Sequence, residues 1–208
     1  MRFIDMSTYP RKTHYEFFKA MAYPYMGICA NVDVTRLIQY TKQQGASPFL
    51  AYLWAAANAA NEVPELRQRI VDDRIVEFDH CDTSHTVSLP DGTFANCRTD
   101  CRKGLDDFLV YGSKRQQEAL ARGSFDVSGD ETDLIFVSCV PWVSFTQITE
   151  PTPIPADSNP RLVFGKFIQD HDRILLPLHI QCNHALVDGL HLGRFYQALD
   201  DIVASVKS

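Results

Sequence analysis

The stretch QCNHALVDGLH, from Gln181 to His191, limits the possible folds more than any other, because one kind of secondary structure ends there and another begins. The mostly apolar residues from Arg173 to Ile180 predict a buried strand, and apolar residues at helical spacing from Leu190 to Val206 predict a helix. The motif is therefore predicted to lie on a strand-to-helix corner. A corner exposes a side chain while the flanking elements hold it in place, which suits a catalytic base.

Other local signals predict further elements on both sides of this corner. Ser47-Pro48 is a helix-capping residue followed by proline at the first helical position, and the following FLAYLWAAANAANEV predicts a helix buried on nearly all sides. Hairpins are predicted over residues 69–78, with the turn at Asp72-Asp73, and over 85–98, with the turn at 90–92. Residues 161–169 and 173–181 predict two further paired strands, and 26–34 and 134–140 predict single strands. Further helices are predicted from about residue 11, from a cap at Asp33 to a stop at Gly45, and over 105–122.

These elements are interspersed without strict β-α-β alternation, and no repeat or linker divides the chain. We therefore expect a single domain over residues 1–208 with an α/β fold: a two-layer sandwich in which a mixed β-sheet carries helices mainly on one face. A chain of 208 residues with 45% hydrophobic residues is long enough for one sizeable core.

Charge and composition argue against several classes of partner. The net charge of −6 provides no basic surface for nucleic acid. No apolar run approaches the ~20 residues of a membrane span, and no secretory signal is recognisable at the N-terminus, so we expect a cytoplasmic protein. Six scattered cysteines are expected to be reduced core thiols, not disulfides or metal ligands.

The chemistry of the corner centres on His184 and Asp188, four residues apart. An imidazole that titrates near neutral pH is the usual general base for a hydroxyl, although a lone histidine at such a place is often structural. A metal site of His184, Asp188 and His191 would need one continuous helix and a further ligand, and Gly189 argues against that helix. We therefore predict no metal, and the absence of a G-x-S-x-G elbow argues against a serine triad.

Six short sequence blocks follow one another along the chain: RKTHYEFF (11–18), PELR (64–67), TF (93–94), SCVPW (138–142), DRILLPL (172–178) and finally NHALVDGLH (183–191). Together they resemble the trimeric chloramphenicol O-acetyltransferases, whose signature is H-H-x-x-x-D-G-[FY]-H. The resemblance covers nearly the whole chain. It is therefore more specific than H-x-x-x-D-G alone, which wider acyltransferase groups share.

The resemblance implies an acetyl transfer from acetyl-CoA to a hydroxyl of chloramphenicol, with no permanently bound cofactor. It makes His184 the general base and Ser138 the hydroxyl donor to the oxyanion of the tetrahedral intermediate. Asp188 pairs with Arg11 in this family and supports the corner. The family is homotrimeric with active sites between subunits, so the same assembly is implied here.

Binding residues are also implied by the resemblance. Trp142 and Lys166 are expected to line the CoA channel, although a strand-end lysine is often only solvated. Five further positions are assigned to the acceptor side, three of them aromatic: Phe17, Phe18, Phe94, Asn96 and Val163.

Departures from the family pattern leave the acceptor open. Asn183 replaces the first histidine of the signature, and Phe18, Asn96 and Val163 differ from the usual acceptor-side residues. A different small hydroxyl compound is therefore an alternative acceptor, and a degenerate binding homologue is an alternative function. Acyl transfer to a carrier protein fits the motif but not the chain length, which is short for a two-lobed enzyme.

Overall fold

The computed structural model describes residues 1–126 and 128–207. The strands are β1 (Arg2–Phe3), β2 (Tyr25–Asp33), β3 (Gln68–Val71), β4 (Arg74–Glu77), β5 (Asp82–Ser88), β6 (Phe94–Thr99), β7 (Leu134–Cys139), β8 (Arg161–Phe164), β9 (Ile168–Asp170) and β10 (Arg173–Asn183). The α-helices are α1 (Lys12–Lys19), α2 (Thr35–Gln44), α3 (Pro48–Glu62), α4 (Leu105–Arg122) and α5 (Gly189–Ser205), and Pro64–Arg67 forms a 3-10 turn.

A seven-stranded sheet is the central layer, with β2, β10, β8, β7, β5 and β6 side by side in that order and β9 paired with the start of β10. Strand β7 runs parallel to β5 and to β8, whereas β10 is antiparallel to β2 and β8. The sheet is therefore mixed, which confirms the predicted fold class. A separate three-stranded sheet has the order β1-β4-β3.

The helices cover one face of the large sheet. Successive side chains of each strand point to opposite faces, so every second residue faces the helices. In β7, Ile135 and Val137 belong to the main core, whereas the alternating residues Phe136 and Ser138 point to the opposite face. In the helical layer, α3 has nine buried residues, most of them alanines, as its all-round apolar pattern predicts. The opposite face of the sheet is partly covered by the chain between β7 and β8.

Turn chemistry agrees with the predicted hairpins. Strands β3 and β4 are joined at Asp72 and Asp73, both with positive φ, which is the geometry of a tight two-residue hairpin turn. Gly45 ends α2 in the left-handed conformation, as its position after the helix predicts.

One predicted strand is interrupted. The strand expected over residues 161–169 ends at Phe164 and resumes as β9 at Ile168. Gly165 lies at the break, where a β-carbon would come within 3.0 Å of Phe145 and 3.1 Å of Pro177. The Gly165 N–H still donates to the carbonyl of Pro177 at 2.8 Å, but Pro177 has no N–H to donate in return, so regular pairing with β10 stops here.

All six cysteines are free thiols in the structure. Among residues 1–126 and 128–207, no helix is both long and apolar enough to cross a membrane.

Candidate active site

The corner between β10 and α5 is held by backbone and side-chain hydrogen bonds. The His184 N–H donates to the carbonyl of Pro24 at 2.7 Å, and the Asn183 side chain accepts the Ala185 N–H at 3.0 Å. Asp188 then caps α5 by accepting the Leu190 N–H at 3.0 Å. The motif occupies the predicted strand-to-helix corner.

His184 is half-buried and fixed by two contacts. Its Nδ1 lies 2.8 Å from the carbonyl oxygen of Val187, and its ring stacks on Phe18 with centroids 3.8 Å apart and planes 22° apart. Because a carbonyl only accepts hydrogen bonds, Nδ1 must carry the ring proton of the neutral imidazole. Nε2 therefore keeps its lone pair, and it has no hydrogen-bond partner in the part of the chain that is described.

Asp188 faces Arg11, not the ring of His184. One guanidinium nitrogen of Arg11 donates to the Asp188 carboxylate, and another donates to the backbone carbonyl of His184 at 3.3 Å. Burial opposes ionisation of Asp188, but the charge of Arg11 and the hydrogen bond from the Leu190 N–H help to hold the pKa of its carboxyl below the ordinary value. The first helix is thereby tied to the corner.

His191 is buried and completes the helix cap. Its Nδ1 accepts the backbone N–H of Asp188 at 3.0 Å, so the proton of the neutral ring is on Nε2, 3.5 Å from a carboxylate oxygen of Glu65. Burial lowers the pKa of His191, and the nearby carboxylates of Glu65 and Asp188 only partly oppose this. The second histidine of the motif is therefore a neutral structural group.

Residues with metal-ligand side chains come together elsewhere in the described residues, at His80, Asp82 and Asp100. Arg98 donates to Asp82 at 3.2 Å, and Arg102 donates to Asp100 at 2.8 Å, so both carboxylates already have a cationic partner. The corner histidines are not part of that group.

Ser138 is far from His184 within one chain. In the sheet register, Ser138 is opposite Val163, and Val163 is opposite His179, so two strand spacings separate Ser138 from β10. His184 lies five residues further along the chain than His179. At about 4.8 Å per strand and 3.3 Å per residue, the two candidate catalytic residues are roughly 19 Å apart.

The acceptor-side candidates divide between these two places. Phe18 and the 63%-exposed Phe17 lie beside His184, with their rings edge to face at 5.1 Å. Phe94 and Asn96 line a cavity of about 540 Å³ that also contains Ser138. Val163 is fully buried next to Ser138 and does not line that cavity.

Both ends of the Asn96 side-chain amide form hydrogen bonds within the chain. Its Nδ2 donates to the carbonyl of Asp126 at 2.7 Å, and its Oδ1 accepts the Asp126 N–H at 2.9 Å. Asn96 therefore shapes the cavity wall by fixing the backbone after α4, and its contact with an acceptor stays a prediction.

The two expected CoA-channel residues lie on neighbouring segments. The Lys166 N–H donates to the carbonyl of Val143 at 2.9 Å, which brings Lys166 close to Trp142. Trp142 is 74% exposed and Lys166 is exposed, so both side chains are available to a ligand.

A cluster around Asp157 is not apparent from the sequence. Arg161 makes two hydrogen bonds to the Asp157 carboxylate at 2.7 and 2.9 Å, the Tyr25 hydroxyl donates to it at 2.9 Å, and the Asn183 amide donates to the Asp157 carbonyl at 2.8 Å. Asn183 thus ties the corner to the chain between β7 and β8. The four-residue spacing of Asp157 and Arg161 was the only local signal.

Comparison with known proteins gives a consistent result. A family model described as chloramphenicol acetyltransferase matches residues 1–200. "Chloramphenicol acetyltransferase 3" from Escherichia coli is 26% identical over 97% of this chain and 96% of its own length. A chloramphenicol acetyltransferase from a Klebsiella species is 29% identical over 94% of this chain and 90% of its own.

A solved structure of a chloramphenicol acetyltransferase is similar in fold as well. It superposes with a TM-score of 0.84 at 29% sequence identity, covering 97% of this chain and 99% of the other.

Proposed function

The chain belongs to the chloramphenicol acetyltransferase family, and on that premise we propose that it transfers the acetyl group of acetyl-CoA to a hydroxyl of chloramphenicol, with His184 as general base. One observation carries the assignment of the base. The bond between Nδ1 of His184 and the Val187 carbonyl leaves Nε2 as the proton acceptor at an accessible corner.

The reaction follows from that tautomer. Nε2 of His184 takes the proton of the acceptor hydroxyl as the hydroxyl oxygen attacks the carbonyl carbon of the thioester. The resulting tetrahedral intermediate expels the CoA thiolate, which takes the proton back from the imidazolium. No acyl-enzyme is needed, because holding both substrates together supplies much of the rate.

Ser138 donates its hydroxyl to the oxyanion of that intermediate in this proposal. The separation of roughly 19 Å between Ser138 and His184 prevents them from acting together within one chain. A homotrimer with active sites between subunits removes the difficulty, because Ser138 of one copy can then meet His184 of the next. The partly uncovered face of the sheet, where Ser138 lies, is available for such a contact.

Asp188 and Arg11 act as positioning residues. Their ion pair and the Arg11 bond to the His184 carbonyl fix the backbone on both sides of the base. Phe18 supports one face of the imidazole ring, with Phe17 beside it. Asp188 needs no contact with the imidazole, because the Val187 carbonyl already holds Nδ1.

Acetyl-CoA is assigned to the segment that carries Trp142 and Lys166. The exposed indole offers an apolar surface, and the lysine offers a point charge for a phosphate. Acetyl-CoA and free thiols both favour the cytoplasm as the place of action.

Thiol release from acetyl-CoA tests the proposal. We expect release that depends on chloramphenicol in the native protein and falls by at least about a hundredfold in His184→Ala. His171→Asn is the matched control, because His171 is exposed in a turn with positive φ that asparagine tolerates. Release only with another alcohol would overturn the substrate, no release with any alcohol would indicate the binding homologue, and an active His184→Ala would overturn the base.

A further inference from the structure

The cavity that contains Ser138 is lined by both aromatic and acidic side chains. Phe94 and Phe125, edge to face with centroids 5.4 Å apart, form an aromatic wall with Phe136 nearby. The segment after β7 contributes Glu150 to the same cavity. An occupant would therefore meet an aromatic surface in one part and a carboxylate in another.

Glu150 has no hydrogen-bond partner within residues 1–126 and 128–207. The nearest cationic group that lines the cavity is Arg161, but both of its terminal nitrogens are bonded to the Asp157 carboxylate at 2.7 and 2.9 Å. Glu131 adds a second carboxylate to the lining. Within one chain, the side chains that line this cavity therefore carry more negative than positive charge.

Burial of an uncompensated carboxylate is unfavourable. Glu150 is already half-buried, and burial raises the pKa of its carboxyl, opposed in part by the charge of Arg161. A neutral occupant would remove more water from Glu150 without replacing the lost hydrogen bonds. A protonated amine would both replace them and balance the charge.

We propose that Glu150 is a specificity-determining residue that selects acceptor alcohols carrying a protonated amine next to an aromatic or apolar body. This inference rests on the proposed acetyl transfer and adds an acceptor class to it. The amine binds the Glu150 carboxylate, the aromatic body lies on Phe94 and Phe125, and the hydroxyl is directed to Ser138. Glu131 is exposed, and water screens it, so it contributes less.

A matched pair of acceptors isolates the charge. Chloramphenicol is compared with its counterpart in which a dimethylamino group replaces the dichloroacetamide, leaving the nitrophenyl ring and both hydroxyls unchanged. The dimethylammonium group is cationic at neutral pH and cannot itself be acetylated stably, so thiol release reports transfer to the hydroxyl. We measure kcat/KM and calorimetric binding for both compounds with the native protein, with Glu150→Gln and with the control Glu62→Gln, an exposed carboxylate at the end of α3.

We expect the native protein to prefer the cationic acceptor in kcat/KM by about tenfold or more. Glu150→Gln should reduce kcat/KM for that acceptor by about tenfold to a hundredfold and leave the value for chloramphenicol within about threefold. Glu62→Gln removes an exposed carboxylate away from the cavity and should change both values by less than about threefold.

Equal or better use of chloramphenicol by the native protein would overturn the role of Glu150 and leave the acetyl transfer standing. An equal loss for both acceptors in Glu150→Gln would do the same, because it indicates a structural residue. Absence of thiol release with either compound would overturn the proposed function. In that case the binding data still decide the inference, since equal affinity for the two compounds contradicts it.

Discussion

At the scale of single residues, the aspartate of the motif combines two separable tasks. Asp188 caps α5 by accepting the Leu190 N–H, and its negative charge pairs with Arg11. Asparagine can perform the first task but not the second, whereas alanine can perform neither.

We expect Asp188→Ala to lose about 1 kcal/mol more unfolding free energy than Asp188→Asn, because only alanine removes the cap. Both variants should lose acetyl transfer, since both leave Arg11 without its carboxylate. Urea unfolding and thiol release on the two proteins measure the separation. Equal stabilities would show that the cap contributes nothing, and an active Asp188→Asn would remove the ion pair from the positioning role.

Substitution by alanine is expected to have opposite effects on stability at two glycines. A β-carbon on Gly27 would lie 2.7 Å from the His179 ring and 2.7 Å from the carbonyl oxygen of Ile180, which is backbone and cannot move aside easily. Gly193 lies on the exposed side of α5 with no atom within 4 Å of such a carbon.

Gly27→Ala should lower the unfolding free energy by about 1–3 kcal/mol, as overpacking does. Gly193→Ala should raise it by about 0.5–1 kcal/mol, because alanine favours the helix over the unfolded chain. Denaturant titration of both variants gives the signs directly. A neutral Gly27→Ala would mean that β2 and β10 are further apart than the structure shows.

Residues that belong to a recognisable motif can be predicted from the sequence, whereas residues whose role depends on distant parts of the chain cannot. His184 and Asp188 are found from the motif itself. Asp157 and Glu150 sit in a proline-rich stretch with no periodicity, and their surroundings depend on strands distant in sequence. Their roles therefore required the folded arrangement.

At the scale of elements, one aspartate joins the chain between β7 and β8 to two strands of the large sheet. Asp157 receives hydrogen bonds from Tyr25 on β2 and from Arg161 at the start of β8. Its neighbours on the same segment line the cavity that holds Ser138. The position of this segment therefore determines the shape of the cavity.

Asp157→Ala should lower the unfolding free energy by about 3–5 kcal/mol, because it leaves the buried Arg161 without a counter-charge. Tyr25→Phe removes one hydrogen bond and should cost about 1 kcal/mol. Both should raise KM for the acceptor more than KM for acetyl-CoA and speed proteolysis within residues 144–157. Asp201→Ala, at an exposed site on α5, is the control and should stay within about 0.5 kcal/mol of the native protein.

Helices whose ends are marked by proline or glycine were predicted with nearly the observed bounds. Proline at the start of α3 and glycine after α2 mark helix ends through backbone conformation alone. The break between β8 and β9 has no such signal in its own segment, because it depends on Phe145, which packs on Gly165, and on Pro177 of β10, which has no N–H to donate. Long-range packing accounts for the difference.

At the scale of the whole molecule, one core cluster extends from Tyr15 in α1 to Val206 after α5. We infer that residues 1–208 unfold as one unit, because elements from both ends of the chain share that core. The mixed sheet follows from the order of local signals, but the placement of β10 between β2 and β8 does not, since each of these pairings joins distant parts of the chain.

The proposed assembly has a quantitative consequence. In a homotrimer whose sites combine His184 of one copy with Ser138 of the next, His184→Ala and Ser138→Ala chains should complement each other. A site is intact only when its histidine comes from a Ser138→Ala chain and its serine from a His184→Ala chain. Random assembly from equal amounts gives this combination in about a quarter of sites.

Each variant alone should retain at most about a hundredth of native thiol release, and the co-assembled mixture should recover about a quarter. The control is the same two proteins mixed as already assembled, native oligomers, which should not recover activity until they are unfolded and refolded together. A single chain that holds the complete site would show no recovery in either mixture. Recovery after co-refolding would place the base and the oxyanion donor on different chains.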